Sequence, residues 1–238
     1  MQRILIIVFP CCLAGVIPGQ SQQPEQTKKI QWGILYGPSV NYRTLNYSND
    51  QQFIAEMRNR MELPKLGYNA GIIARRNYRK NSAVEAMISF SNTGYKTRKI
   101  PLSWEPADYA LPVDTEFNYS FLNLCLNARF RYILFGYKTK FYVLPGLGVD
   151  ALIEKKTNIK IKYANDTKKK YASGVRSSHS GIGLSATTSI GVMHEFSGGF
   201  TFCLEPTIKQ GLLSVNLGSS NREFLYSFGI NAVMIYTR

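Results

Sequence analysis

The chain has little cysteine, histidine or acidic side chain. Its 238 residues include 4 Cys, 2 His and 15 Asp plus Glu. Cys11 and Cys12 fall in an apolar N-terminal run, which leaves Cys125 and Cys203 with no nearby Cys or His at the spacing of metal ligands. The sequence therefore predicts neither a disulfide framework nor a metal site.

The shortage of acidic residues also gives the chain a positive net charge, which limits the classes of partner it can bind. Against the 15 acidic residues stand 29 Lys plus Arg, a formal net charge of +14, and the chain is rich in Tyr (15) and Phe (13). Few acidic helix formers and many aromatic residues favour strands. A basic chain suits an anionic partner. The basic start and the apolar run within residues 1–21 predict an exported chain. Because an exported chain rarely meets nucleic acid, we expect lipopolysaccharide, outer-membrane lipid or acidic polysaccharide and no nucleic acid.

No apolar run reaches the roughly 20 residues of a membrane-spanning helix. The longest lies at the N-terminus, where Arg3 precedes an apolar run from Ile4 to Ile17, and small residues follow at Gly19 and Ser21. This order is typical of a secretory signal peptide. We predict a signal peptide over residues 1–21, a polar linker over 22–29 and one domain over 30–238. A membrane-anchor helix is the alternative.

Apolar residues alternate with small or polar residues from the start of the predicted domain. Trp32, Ile34 and Tyr36 alternate with small residues such as Gly33 and Gly37, and the same period recurs in seven later runs. A period of two predicts strands with one apolar face. Eight strands of about 9–13 residues suit a barrel whose tilted strands cross a bilayer.

The links between the predicted strands alternate in length. Three are short, near residues 76–82, 133–139 and 195–199, whereas four are long, near 45–66, 96–116, 154–180 and 211–222. Short turns on one side and long loops on the other are the layout of an outer-membrane barrel. The predicted fold is all-β, an eight-stranded antiparallel up-and-down transmembrane β-barrel with short periplasmic turns and long extracellular loops.

Alternation alone does not distinguish a membrane barrel from a soluble lipocalin-like carrier. Aromatic residues favour the membrane barrel because they cluster at the strand ends, where amphipathic rings lie at headgroup level. The predicted girdle on the periplasmic side consists of Trp32, Phe130, Tyr132, Phe141, Phe200 and Tyr236. The soluble carrier remains the alternative fold and function.

Charged residues occupy inward positions of the predicted strands. They are Arg75, Glu85, Arg129 and Glu205 in the periplasmic half, and Arg43, Asp150 and Lys209 in the outer half. An eight-stranded barrel is just wide enough for side chains to fill it. We therefore expect these residues to pair and close the lumen, with a proton or ion path as the alternative.

The third long link is the most basic segment of the chain. It carries Lys155, Lys156, Lys160, Lys162, Lys168, Lys169, Lys170 and Arg176. Ile159 and Ile161 alternate with lysines, which predicts a hairpin that continues beyond the membrane. This segment is either a solvated loop against lipopolysaccharide or a specific site for an anionic ligand or partner.

The first long link has helical spacing at Phe53, Ile54, Met57 and Met61, with Pro64 ending the run. This spacing predicts a short rim helix. The helix either folds onto the mouth of the barrel or offers a surface to a partner.

The candidate cofactor and catalytic motifs in the sequence do not support an enzymatic function. Two glycine-rich runs, 146–151 and 181–186, match the dinucleotide fingerprint but neither opens an amphipathic helix. We therefore expect no cofactor. His179 lies at an inward position and His194 at a turn, so neither suits a lipid hydrolase, which needs Ser, His and an acid together on the lipid-facing wall.

Three segments carry a family resemblance. ISFSNTGY at Ile88–Tyr95, YSFLNLCLNARFRY at Tyr119–Tyr132 and KFYVLPGLGV at Lys140–Val149 resemble the PorT-like outer-membrane β-barrel family. The resemblance implies an integral protein of the outer membrane of a Gram-negative cell, with no catalytic residues to transfer and a secretion role in some members. The leading hypothesis is a non-enzymatic protein that anchors or docks partners through its outer loops.

Overall fold

The computed structural model describes residues 30–104, 111–175, 181–215 and 222–236. The elements are β1 (Ile30–Asn46), a 3₁₀ turn (Asn49–Gln51), α1 (Gln52–Met61), β2 (Glu62–Arg79), β3 (Ser82–Thr97), β4 (Ile100–Pro101), β5 (Pro112–Gly136), β6 (Thr139–Tyr163), β7 (Lys168–Val175), β8 (Ile182–Glu195), β9 (Phe200–Gly211) and β10 (Arg222–Tyr236). The predicted signal peptide and linker lie outside the described residues.

Eight of the strands form a closed antiparallel ring. The order around the ring is β1, β2, β3, β5, β6, β8, β9 and β10. β1 and β10 close it on one side, with Trp32 opposite Tyr236, and each remaining strand pairs with its neighbour along the chain. This arrangement confirms the predicted eight-stranded up-and-down barrel. β4 and β7 are additional strands outside the ring, paired with β5 and β6.

The strands alternate between an apolar outer wall and a polar lumen, as the period of two predicts. On β1, for example, Ile34 is 64% exposed and the neighbouring Leu35 is 3% exposed. Arg75, Glu85 and Glu205 are buried, and the exposed large residues of the ring are mostly aliphatic or aromatic. A soluble carrier has the opposite arrangement, so the fold does not favour that alternative.

The two ends of the ring differ. At the short-turn end, two residues separate β2 from β3, two separate β5 from β6, and four separate β8 from β9. The long-loop end carries α1, β4 and β7. β5 and β6 are 25 residues each and continue past the ring at this end. Much of the predicted 154–180 link is therefore strand, which confirms the hairpin predicted from the alternation of Ile159 and Ile161 with lysines. The predicted lengths of 9–13 residues are too short for seven of the eight ring strands, since only β9, with 12 residues, lies in that range.

An apolar cluster fills the lumen at the short-turn end. Its members are Leu35, Ile73, Met87, Ile133, Tyr142, Leu144, Met193, Cys203, Val233 and Ile235. Their burial excludes water from this half of the lumen and stabilises the ring from inside. Within the described residues no helix is long and apolar enough to cross a membrane, which has no bearing on crossing by strands.

Candidate functional site: the charged lumen and the basic outer sheet

The lumen of the short-turn half contains a chain of ion pairs. Arg75 Nε lies 2.6 Å from Glu85 Oε1, and Arg129 Nη2 lies 2.7 Å from Glu85 Oε2. The other terminal nitrogen of Arg129 reaches Glu205 Oε2 at 2.9 Å. The structure thus brings together the four residues that the sequence places in this half. Because Arg129 on β5 and Glu205 on β9 are not on neighbouring strands, their contact crosses the lumen.

Tyr142 completes this layer and is a residue that sequence reasoning missed. Its hydroxyl donates a 2.7 Å hydrogen bond to Glu205 Oε1. The ring occupies the space beside Gly191, where an added Cβ would lie 2.3 Å from Tyr142 Cζ. Glycine at this position therefore makes room for the ring. We call Arg75, Glu85, Arg129, Glu205 and Tyr142 the inner charge layer.

Two free cysteines lie at different heights of the lumen. Cys203 is near Arg75 Nη2 in the inner charge layer. Cys125 lies nearer the long-loop end, 3.2 Å from Lys209 Nζ. The same ammonium group is 2.7 Å from Asp150 Oδ1. Asp150 and Lys209 therefore pair in the outer half.

Arg43 does not join that pair, which corrects the expectation for the outer half. Its Nε donates to Glu62 Oε2 at 2.5 Å, and Nη1 donates to Asn59 Oδ1 at 3.2 Å. Arg58 reaches Glu62 at 2.7 Å and Glu223 at 3.3 Å. The physical reason is that β2 begins at Glu62, inside the link predicted near residues 45–66, so this carboxylate faces the mouth.

We call Arg43, Arg58, Glu62, Tyr95 and Glu223 the outer charge layer. Tyr95 accepts a 3.1 Å hydrogen bond from Arg58. The guanidinium groups of Arg43 and Arg58 both lie within 6 Å of the centroid of the Tyr95 ring. Burial lowers the pKa of Arg58, but the hydrogen bond and negative charge of Glu62 outweigh it, so the pKa lies above its ordinary value. Arg58 is thus a permanent cation at the mouth.

Helix α1 confirms the predicted rim helix, and its orientation is informative. Arg58 and Asn59 face the mouth, and Ala55 is buried there. Phe53 is 77% exposed, and Ile54 and Met57 are also exposed. The helix therefore contacts the barrel through its polar face.

The six predicted girdle residues all lie on the outer wall at the short-turn end. Trp32 opposes Tyr236 in the register of β1 and β10, and the Phe200 and Tyr236 rings are 5.1 Å apart. Phe130 and Tyr132 are exposed on β5, and Phe141 is exposed on β6. This position is suited to contact with lipid headgroups.

At the long-loop end, β4, β7 and the outer parts of β5 and β6 form an extension of the sheet. We call it the basic outer sheet. Lys160 lies directly opposite Lys170, and Lys162 lies directly opposite Lys168. Residues directly opposite in an antiparallel pair share a face, and like charges there are destabilising. Only anionic groups on the same face can relieve that repulsion.

Two carboxylates share the face of these four lysines. Glu116 is opposite Lys160, with 3.6 Å between Oε1 and Nζ, and Asp114 is opposite Lys162. In the loop, Asp166 lies 2.8 Å from Lys162, and this contact raises the pKa of Lys162 and lowers that of Asp166. This face of the basic outer sheet therefore carries more basic than acidic side chains.

The other predicted basic residues lie elsewhere. Lys169 is on the opposite face, with its ammonium 5.2 Å from the Tyr163 ring centroid. Lys155 lies over Phe121 at 5.7 Å, and Lys156 is opposite Ser120, both nearer the ring. Arg176 lies outside the described residues. The structure therefore divides the predicted loop into an upper group, Lys160, Lys162, Lys168 and Lys170, and a lower group, Lys155 and Lys156.

The predicted histidine positions give no catalytic arrangement. His194 Nδ1 lies 2.8 Å from Thr139 Oγ1 at the short-turn end, and His179 lies outside the described residues. In the described part of the chain no group of three or more His, Cys, Asp or Glu side chains is placed to hold a metal ion. The two glycine-rich runs lie in or beside strands β6 and β8.

Comparison with known proteins bears on the family. Residues 19–209 match the family model described as outer membrane protein beta-barrel domain. The chain belongs to this family. The outer-membrane barrel therefore has its short-turn end in the periplasm and its long-loop end outside the cell. The narrower resemblance to PorT-like barrels stays a prediction. No curated protein matches the sequence.

Several solved barrels are similar in fold. Neisserial surface protein A (NspA) is 9% identical, with a TM-score of 0.41, 87% of this chain covered and 97% of that chain. Ail of Yersinia pestis, in complex with the heparin analogue sucrose octasulfate, is 12% identical, with a TM-score of 0.32 and coverage of 86% and 97%. The outer membrane protease OmpT of Escherichia coli is 11% identical, with a TM-score of 0.38 and coverage of 88% and 95%.

Proposed function

We propose that this outer-membrane barrel is a non-enzymatic docking protein that holds an anionic partner on its basic outer sheet. The observation that carries the proposal is that lysines face each other directly in two pairs, Lys160 with Lys170 and Lys162 with Lys168. A sheet gains nothing in its own stability from such an arrangement. An anionic partner would contact the ammonium groups of Lys168 and Lys170, and also those of Lys160 and Lys162, which have acidic neighbours in Glu116 and Asp166.

The position of the upper lysines indicates what kind of partner reaches them. β8 ends its pairing with β6 at Ile182, opposite Ala151. Lys160 is nine residues farther along β6, which corresponds to about 30 Å along the strand. The upper group therefore stands well outside the membrane, where a partner in the extracellular space has access.

The lower group has a different expected role. Lys155 and Lys156 lie where β6 leaves the ring, at the level where lipopolysaccharide phosphates are expected. We propose that these two lysines contact lipopolysaccharide and help to anchor the barrel. We also propose that the chain is exported by a cleaved signal peptide. We further propose that the barrel belongs to a secretion assembly.

Binding of an anionic probe tests the docking role. The protein in lipid nanodiscs is titrated with fluorescent poly-glutamate, and the triple variant K160Q/K168Q/K170Q is compared with the matched triple variant R79Q/K80Q/K138Q at the short-turn end. Each triple variant removes three positive charges. We expect the first to lose most of the binding and the second to keep it. Equal binding by both would show that only net charge matters and would contradict the proposal.

A further inference from the structure

Between the two charge layers the lumen contains a polar chamber. Its volume is about 40 Å³, and residues from seven of the eight ring strands line it. The lining includes the hydroxyl side chains of Ser39, Ser89, Ser91, Thr93, Thr187 and Thr207. In an interior this narrow, such side chains need hydrogen-bond partners within the lumen.

Five polar atoms on the chamber wall have no protein partner within the described part of the chain. They are Asn69 Oδ1, Ser89 Oγ, Asn127 Oδ1, Arg129 Nε and Thr187 Oγ1. Ser89, Asn127, Arg129 and Thr187 are each more than nine-tenths buried. A buried polar group without a hydrogen-bond partner destabilises the folded chain, so five together would be a large cost.

We infer that the chamber is a binding site for a small cluster of ordered water molecules. A buried water needs about 10–15 Å³ and two to four polar partners, so the chamber has room for about three. The five unpaired atoms and the neighbouring hydroxyls supply the partners. The inference is independent of the docking role.

The chemistry of the wall selects water over an ion. Two of the unpaired atoms are amide oxygens, which accept hydrogen bonds, and one is a guanidinium N–H, which donates. An anion would satisfy only the donors and a metal ion only the acceptors. Water donates and accepts, and hydroxyl groups adapt to either role.

The charge layers separate this chamber from both ends of the barrel. Arg129, Glu85 and Glu205 are buried on the periplasmic side, above the apolar cluster. Arg43, Glu62 and Tyr95 are buried on the extracellular side, beneath α1. The chamber is thus a closed hydrated compartment, and water in it exchanges slowly with bulk water.

Two buried methionines allow a direct test by X-ray radiolysis, which converts water in place to hydroxyl radicals. Both belong to the apolar cluster, but Met87, which is 5% exposed, also lines the chamber, whereas Met193, which is 2% exposed, does not. Met57 on α1 is exposed and reports bulk solvent. We expect Met87 to be oxidised several-fold faster than Met193. Equal rates would show that the chamber is dry and would overturn the inference.

Mixing with H₂¹⁸O just before irradiation separates bound water from solvent that enters freely. We expect the Met57 sulfoxide to carry ¹⁸O at once and the Met87 sulfoxide to lag behind it. Incorporation of ¹⁸O at Met87 as fast as at Met57 would overturn the inference of a closed site.

A variant pair tests the lining residues. S89A/T187V removes two wall hydroxyls and should lower Met87 oxidation towards the Met193 rate. The control S82A/T201V removes two hydroxyls at the periplasmic end, outside the chamber, and should leave the rate unchanged. An unchanged rate in S89A/T187V would contradict the assignment of the site. If this variant fails to fold, the wild-type comparison of Met87 with Met193 still decides.

Discussion

Arg129 on β5 and Glu205 on β9 meet across the lumen, with 2.9 Å between Nη1 and Oε2. Between β5 and β9 the ring contains β6 and β8, so this contact joins opposite parts of the wall. Glu205 also accepts from Tyr142, and Arg129 also contacts Glu85. The pair is therefore the centre of the inner charge layer, and the behaviour of the lumen depends on it.

Removing the Glu205 carboxylate should destabilise the barrel. In E205A, Arg129 loses one of its two carboxylates and Tyr142 loses its acceptor, both in a buried site. Breaking a buried ion pair by removing one partner costs about 3–5 kcal/mol. Urea unfolding in lipid vesicles should show a loss of this size.

The control is the exposed pair Lys140 and Glu195 at the periplasmic end, 2.5 Å apart. E195A should cost less than about 1 kcal/mol, since exposed ion pairs contribute little. A similar loss in the two variants would contradict the special role of the buried layer.

Conductance tests the closure of the lumen. Apart from the partly exposed Arg58, both charge layers consist of buried side chains, and the apolar cluster lies in the periplasmic half. We expect no steady single-channel current from the wild-type protein in planar lipid bilayers. Reproducible ohmic steps from protein of confirmed purity would mean that the layers do not seal the lumen.

Arg58 should hold helix α1 on the mouth. Its guanidinium joins the helix to Glu223 on β10 and Tyr95 on β3. In R58A the helix should loosen, so trypsin should cut at the exposed Arg60 several-fold faster. Q52A is the control, because the hydrogen bond from Gln52 to Glu56 lies within the exposed helix. Equal protection in R58A and wild type would rule out this anchoring role.

Much of this architecture follows from a period of two in the sequence. Alternation places Arg75, Glu85, Arg129 and Glu205 inside the barrel because a strand turns every second side chain to the same face. Which of the inward charged residues form ion pairs also depends on the register between strands. The sequence of a single strand does not show that register. Arg43 shows this, since it was expected beside Asp150 and instead contacts Glu62.

The parts that the sequence did not predict lie at the extracellular end. Glu62 and Glu223 are at strand termini, where boundaries depend on contacts with α1 and β1 rather than on local pattern. β4 has only two residues, too few for a periodic pattern to identify. Glu116 fell in a predicted loop because charged residues alone do not distinguish a loop from a strand in solvent. Lys162, in contrast, lies in the hairpin that the alternation with Ile159 and Ile161 predicts.

The opposed lysines should reduce the stability of the outer sheet. K170E replaces the like-charged contact of Lys160 and Lys170 with an opposite-charged one, which should stabilise the β6–β7 pairing by about 0.5 kcal/mol. Hydrogen exchange of the β6 and β7 amides should slow, while binding of poly-glutamate should weaken. K169E, with the same charge change on the other face, should not slow exchange. Faster exchange in K170E would contradict the opposed-lysine account.

The predicted export signal has a simple test. Cleavage after Ser21 removes the apolar run and leaves Gln22 as the first residue of the mature chain. Intact-mass analysis of protein purified from a Gram-negative host should match residues 22–238. A mass that includes residues 1–21 would instead support the membrane-anchor alternative.

Heat-dependent mobility of the protein from the outer-membrane fraction tests the central claim most directly. The chain is expressed with its own N-terminus in a Gram-negative host, and boiled and unboiled samples of the outer membrane are compared by gel electrophoresis. A ring of hydrogen-bonded strands resists detergent until it is heated, because each strand is paired on both sides. We predict that the protein is in this fraction and changes mobility on boiling. A soluble periplasmic product with the same mobility before and after boiling would contradict the account.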